Sequence, residues 1–212
     1  MAAGPQDLAR VVRLTGVRDA RVLETVAQVP RAAFVPTVAR GHAYRDEPIQ
    51  IPGGQVTTQP SLVARMLEAL ALEGHERVLE IGTGYGWQTA LLARLAADVV
   101  SVERLPELAR AAERNLRRHG TANAEVIVAD GTAGMEARAP FDAIVVAAAF
   151  TSVPAPLAAQ LVPGGRLVQP IGPGGRDEVT LFERGGKGIV RRRSVTPAHF
   201  VRLYGAYGFD AD

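Results

Sequence analysis

Apolar residues recur at helical spacing near the start of the chain: Leu8, Val11, Val12 and Leu14, then Val22, Leu23, Val26 and Val29. They predict short amphipathic helices over 6–41, broken by Pro30 and Pro36. Residues 43–60 hold Pro48, Pro52, Gly53, Gly54 and Pro60 and read as loop, with Pro60 suited to the first turn of a helix over 61–72. From Arg77 the texture alternates. Short apolar runs at 78–81, 99–102, 126–128, 143–147 and 166–171 predict strands, and helical patterns fall at 87–95, 106–119 and 155–161. The last of these helices is expected to close at Pro163-Gly164-Gly165. Strands that alternate with helices build β-α-β units, a parallel sheet with helices on both faces. After residue 176 the runs 179–183 and 189–195 flank Gly185-Gly186-Lys187-Gly188 and read as an antiparallel hairpin on the sheet edge.

The fold class is therefore α/β: a Rossmann-like, doubly wound, mostly parallel sheet with a helical N-terminal segment and a C-terminal antiparallel hairpin. One domain is expected over 1–212, with an N-terminal segment at 1–60, an α/β core at 61–176 and a β extension at 177–212. A chain of 212 residues, 47% hydrophobic, can bury a core without staples. With no cysteine, a disulfide scaffold, a thiolate metal site and a cysteine nucleophile are excluded. His42, His75 and His119 are isolated, so no metal site is expected. The longest apolar stretch is far too short to cross a bilayer, and Arg10, Arg13, Arg18 and Arg21 do not suit a signal peptide. A cytoplasmic, monomeric protein with no membrane partner is the expectation. Basic residues include one lysine, Lys187, and 23 arginines, yet the net charge is only +2, which is no nucleic-acid footprint. Arg191-Arg192-Arg193 is read as a solvated strand or turn.

The first strand of the alternating region runs into Glu80-Ile81-Gly82-Thr83-Gly84-Tyr85-Gly86, and a helix follows. Glycines let this backbone turn tightly against a ligand at a helix N-terminus. A dinucleotide fingerprint would place its third glycine at 87, which is Trp87, and no Lys-Ser or Lys-Thr follows as in a phosphate loop. Glu80 before the turn would repel a pyrophosphate and suit a cation. S-adenosyl-L-methionine, with its sulfonium and ammonium groups, fits. Glu103 closes the next strand, where an acid accepts hydrogen bonds from ribose hydroxyls in such folds. Asp130-Gly131 closes the third and is expected to border the adenine. The donor residues predicted are thus Glu80, Gly82, Thr83, Gly84, Glu103, Asp130 and Gly131.

Five strings together resemble the protein-L-isoaspartate (D-aspartate) O-methyltransferase family. They are Val29-Pro30-Arg31-x-x-Phe34-Val35-Pro36, Ala43-Tyr44-x-Asp46-x-Pro48, Gly54-Gln55-Val56-Thr57-Thr58-Gln59-Pro60, Val78-Leu79-Glu80-Ile81-Gly82-Thr83-Gly84 and Pro140-Phe141-Asp142-Ala143-Ile144. The third is the discriminating one, because most S-adenosylmethionine-dependent methyltransferases share the glycine loop. The resemblance implies a class I methyltransferase fold and esterification of L-isoaspartyl and D-aspartyl carboxylates in damaged proteins and peptides, with repair through a succinimide. It also implies that 1–60 forms part of the substrate site. The family's acceptor-contacting hydroxyl maps to Thr58, usually serine in the family, after Val56-Thr57 in place of threonine-isoleucine. A turn hydroxyl bonded to its own backbone is the alternative for Thr58. Gln55 and Thr57 are carried over as substrate contacts. So are His199 and Val201, because His199-Phe200-Val201-Arg202-Leu203 resembles the family's Arg-Phe-Val-Pro-Leu strand, departing at His199 and Arg202.

An ionised carboxylate is already a nucleophile at neutral pH, so such a site needs no general base. Three other readings compete. An aspartyl O-methyltransferase acting on one ribosomally made peptide keeps the chemistry and changes the substrate. An RNA methyltransferase draws only on the arginine count. The third is a non-catalytic S-adenosylmethionine-binding module. The absence of Asn/Asp-Pro-Pro-aromatic at Ala147-Ala148-Ala149-Phe150 argues against base N-methylation.

Overall fold

The computed structural model describes residues 4–210. Two helices open it, α1 (Pro5–Leu14) and α2 (Ala20–Gln28), followed by two 3-10 turns, the small strands β1 (Ile49–Ile51) and β2 (Gln55–Thr57), and α3 (Pro60–Leu70). The alternating region is β3 (Arg77–Ile81), α4 (Trp87–Leu95), β4 (Asp98–Glu103), α5 (Pro106–His119), β5 (Ala124–Val128) and β6 (Phe141–Val146). Then come α6 (Ala155–Ala159), β7 (Leu161–Ile171), β8 (Asp177–Gly185) and β9 (Gly188–Ala198).

The main sheet has the order β5-β4-β3-β6-β7-β8-β9. Strands β5 to β7 pair in parallel, and β8 and β9 continue antiparallel to the edge. From β3 the chain winds one way through β4 and β5, then returns to β6 on the other side. The crevice between the carboxyl ends of β3 and β6 is the switch point at which such sheets bind ligands.

Alternation along the central strands divides the core. Val78, Val99, Ala143 and Val145 face the layer built from α1 to α4. Leu79, Ile81, Val100, Val102, Ile144 and Val146 face the other side, where Leu157 of α6 and Leu203 of the C-terminal segment complete the packing. Glu80 falls in register with Val78 and therefore lies under α4. The helices expected on both faces are unequally shared, since among the described residues the second face carries the five-residue α6 with 3-10 turns and C-terminal chain.

Three local expectations are corrected. Helix 155–161 ends at Ala159, because Leu161 already pairs with Phe141 and Gln160 bonds across to Ala133 O and Met135 N. Pro163-Gly164-Gly165 accordingly lies inside β7, at a register shift against β6. The loop expected over 43–60 contains the β1–β2 hairpin, whose turn uses positive φ at Gly53 and Gly54 (72° and 67°). Residues 199–203 form no strand, and a single parallel bridge joins Arg202 to Ala149. In that bridge Ala149 bonds Val201 O and Leu203 N. The N–H of position 202 is left out of the pairing, which is why the family's proline and this chain's arginine suit it equally.

The hairpin itself lies where expected. Arg191 and Arg192 are solvent-facing on β9 and pair with Glu178 and Glu183 of β8. No helix among the described residues is long and apolar enough to cross a membrane.

Candidate active site

The carboxyl ends of four parallel strands line one cavity. Gly82, Thr83 and Gly84 follow β3, Glu103 and Arg104 end and follow β4, Gly131 follows β5, and Ala147 and Ala148 follow β6. Trp87 and Gln88 of α4 contribute one wall, and Ile51, Gln55, Val56 and Thr58 another. Val201–Tyr204 border the mouth. A second groove runs between α3 and the end of β9, lined by Ser61, Leu62, Arg65 and 196–200. The two share Val56, Thr58, Ala147 and Val201. At that junction the Thr58 hydroxyl makes no hydrogen bond among the described residues, so it does not close a turn of its own.

The glycine loop is bent by positive φ at Gly82, Gly84 and Gly86 (95°, 57° and 90°). Two contacts hold it on the sheet. Gly82 N donates to Val102 O at 2.9 Å, and Gly84 N donates to Glu103 Oε2 at 2.9 Å. Glu103 Oε1 accepts from Leu105 N at 3.0 Å. Each carboxylate oxygen thus retains accepting capacity on the cavity side.

Glu80 does not line the cavity. It is fully buried behind the loop, where its Oε2 accepts from Thr89 Oγ1 (2.5 Å) and Ser101 Oγ (2.6 Å). Ser101 also meets Thr83 Oγ1 at 2.5 Å, so the network reaches the loop from below. Burial pushes the Glu80 carboxyl up to about 7, against the lowering effect of Ser101, Thr89 and Gln88. The cation-attracting role expected of Glu80 is replaced by support of the loop, as the strand pleat turns its side chain under α4.

Asp130 is likewise turned away from the cavity. Its Oδ1 accepts from Thr132 N and Oγ1, and its Oδ2 from Ala206 N at 2.7 Å. Burial alone would raise this carboxyl, but the bonds from Thr132 and Ala206 hold it below the usual range. It anchors the C-terminal segment over the mouth, and Gly131 is the member of the pair that lines the cavity.

Of the residues carried over as substrate contacts, Gln55 lines the first cavity, His199 the second groove and Val201 both. Thr57 faces inward instead, its Oγ1 accepting from Arg31 at 2.8 Å and from Ile49 N at 3.3 Å.

Two residues were not singled out as functional by the sequence. Arg31, 0% exposed, donates to the carbonyls of Ala43, Arg45, Glu47 and Thr58 and to Thr57 Oγ1, and its guanidinium lies 5.5 Å from the Trp87 ring centroid. Burial lowers it to about 10, partly offset by Asp46, so it remains charged. A charged residue inside an amphipathic stretch was the available signal. Gln88 lines the first cavity at 8% exposure, and among the described residues neither its Oε1 nor its Nε2 has a hydrogen-bond partner. At the second position of a helix nothing in its spacing marks it.

This sheet order, with a glycine loop and a strand-end acid at the switch point, defines a class I methyltransferase fold. A family model described as protein-L-isoaspartate(D-aspartate) O-methyltransferase matches residues 4–207, and the chain belongs to that family. Among its relatives, the protein-L-isoaspartate O-methyltransferase of Methanoculleus marisnigri is 48% identical over 202 residues, 95% of this chain and 91% of the relative. That of Anaeromyxobacter dehalogenans (strain 2CP-C) is 48% identical over 200 residues, 93% and 96% of the two chains. A solved protein-L-isoaspartate O-methyltransferase superposes with a TM-score of 0.84 at 28% identity, covering 96% of this chain and 67% of that one. A Plasmodium falciparum structure, titled as a protein-L-isoaspartate O-methyltransferase in complex with S-adenosyl-L-homocysteine, gives 0.81 at 22% identity and shares the fold. It is covered to 98%, and covers 95% of this chain.

Proposed function

We propose that this chain transfers the S-adenosylmethionine methyl group to the abnormal carboxylate of L-isoaspartyl residues, with Thr58 as the acceptor-positioning hydroxyl. Family membership carries the reaction type. The observation that carries the site is the unpartnered Thr58 hydroxyl where the donor cavity opens into the second groove.

The donor cavity suits that cofactor. Glu103 offers a carboxylate with accepting capacity left for vicinal hydroxyls, and the loop puts glycine backbone and a helix N-terminus against the ligand. Gln88 is a nearly buried carboxamide without a partner, as expected of a group that completes its bonds on a ligand. When bound, the cofactor supplies an electrophilic methyl on a sulfonium.

The chain's own residues then have few tasks. Thr58 donates a hydrogen bond to the acceptor carboxylate and aims one oxygen at the cavity. Val56, Ala147 and Val201 surround that point with apolar surface and exclude water, which favours a reaction in which an anion and a cation neutralise each other. No proton has to move, since the acceptor is ionised at neutral pH. The same reading takes the chain as a cytoplasmic monomer acting on many damaged proteins.

The test is methyl transfer from labelled S-adenosylmethionine to two peptides that differ only in Asp or isoAsp at one position. Base-labile label on the isoAsp peptide alone is the expected result. Label on the normal Asp peptide would overturn the repair reading. Donor binding without label on either would point to a dedicated peptide substrate.

A further inference from the structure

The groove that meets the donor cavity at Thr58 presents basic side chains. Among the described residues its titratable lining is Arg65, one turn into α3, and His199, just past β9, with no Asp or Glu. Arg65 donates one N–H to Thr15 O and forms no ion pair among the described residues. His199 is exposed and makes no hydrogen bond or ion pair among them.

Three carboxylates on the surrounding elements accept hydrogen bonds from elsewhere, while Glu47, beside the lining residue Pro48, is exposed. Asp46 accepts from Ser61 N and Gln59 Nε2. Glu68 accepts from Arg18 N and Asp19 N. Asp177 is buried and accepts from the N–H groups of Gly174, Gly175 and Phe200. None of these three forms an ion pair with Arg65 or His199 among the described residues.

We infer that this groove prefers isoaspartyl peptides with acidic side chains flanking the damaged residue, and that Arg65 and His199 set the preference. The inference rests on the groove being the acceptor site. A peptide whose isoaspartyl carboxylate reaches Thr58 must pass along the groove, so its neighbouring side chains lie beside these bases. Arg65 has guanidinium N–H groups left for a carboxylate, in the fork geometry that carboxylates match. A lysine in the same place meets like charge and gains nothing. Because neither base touches the reacting atoms, the preference belongs to KM and leaves kcat nearly constant.

The experiment uses three isoAsp peptides of one core sequence, flanked by Glu, Gln or Lys, with the intact enzyme. At low salt KM rises in the order Glu, Gln, Lys, with about a fivefold step between neighbours, and the spread narrows as NaCl is added. Arg65→Gln compresses the spread, Arg65→Glu inverts it, and His199→Gln reduces it. S-adenosylhomocysteine affinity checks that each variant is folded. Equal KM values in the wild type, or an order unchanged in folded Arg65→Glu, would overturn the inference. If Arg65→Glu does not fold, the wild-type series and His199→Gln still decide. No methylation of the Gln-flanked peptide would instead overturn the acceptor reading on which this inference stands.

Discussion

The guanidinium of Arg31 donates to the main-chain oxygen of Thr58 at 3.1 Å, tying a buried cation to the residue at the junction of the two cavities. The same nitrogen holds Thr57 Oγ1 and Glu47 O, so β2 and the segment that leads into the β1–β2 hairpin hang on one side chain. Arg31→Met keeps the apolar length and leaves those acceptors without a donor. Such a loss in the interior costs about 3 kcal/mol or more. Chemical denaturation is expected to report that loss, with activity lowered in the protein that remains folded. Arg31→Lys recovers only part, because one ammonium cannot reach acceptors spread over Ala43, Arg45, Glu47 and Thr58. Wild-type stability in Arg31→Met would show that the hairpin is held by other means.

Thr58→Val removes the hydroxyl and keeps the branched shape. The expected result is a loss of roughly ten- to a hundredfold in kcat/KM for an isoAsp peptide, with S-adenosylhomocysteine affinity nearly unchanged. Thr58→Ser restores most of the activity. If the Val variant loses donor affinity in the same proportion, Thr58 shapes the cavity and does not position the acceptor.

Glu80 makes folding stability depend on pH. Its carboxyl has an ordinary value of 4.5 and titrates at about 7 in the fold, where burial opposes the charged form. Between those values the native state keeps a proton that the unfolded chain has released. The stabilising contribution is therefore complete below about pH 4.5, declines as pH rises, and is lost above about pH 7. The amplitude is about 3 kcal/mol over that window. Glu80→Gln keeps an oxygen for Thr89 and Ser101 and has nothing to titrate. Urea unfolding from pH 5 to pH 8 should show the variant gaining on the wild type as pH rises. Parallel curves would mean that the Glu80 carboxyl titrates alike in both states.

Glu103 and Glu80 show what the sequence could and could not convey. The sheet and the position of Glu103 followed from local signals, namely apolar runs at strand length and an acid at a strand end after a glycine loop. Glu80 also sits near a strand end, but the pleat puts it in line with Val78, on the face that α4 covers. Reading that alternation would have turned it inward. Thr57 and Thr58 are adjacent and chemically alike, and it is Arg31, 26 residues away, together with Ile49 N across the hairpin, that takes Thr57 out of the site. Asp130 is similar, since its carboxylate is claimed by Ala206, 76 residues on. The β1–β2 hairpin escaped because Pro52, Gly53 and Gly54 read as loop, while a three-residue turn between short strands uses just such residues. Position in an element was legible in the chain, as was the face of Glu80, whereas the directions of Thr57 and Asp130 depended on distant partners.

Gln88 offers a test in which stability and binding move in opposite directions. Its carboxamide lines the donor cavity and has no hydrogen-bond partner at either atom. It also favours the charged form of the Glu80 carboxyl. A buried amide left unpaired costs about 1–3 kcal/mol, so Gln88→Leu, similar in volume and apolar, relieves a penalty in the ligand-free protein. The melting temperature without ligand is expected to rise. If the amide completes its bonds on the donor, the same change removes them, and S-adenosylhomocysteine affinity falls about tenfold. The ligand-induced increase in melting temperature then shrinks although the starting value is higher. A variant that is more stable and binds as before would show that the amide completes no bond on the donor. One that is less stable and binds more weakly would make it a structural residue of α4. Only the crossed result, higher intrinsic stability with weaker donor binding, identifies a polar group kept unpaired in the fold for a ligand to satisfy.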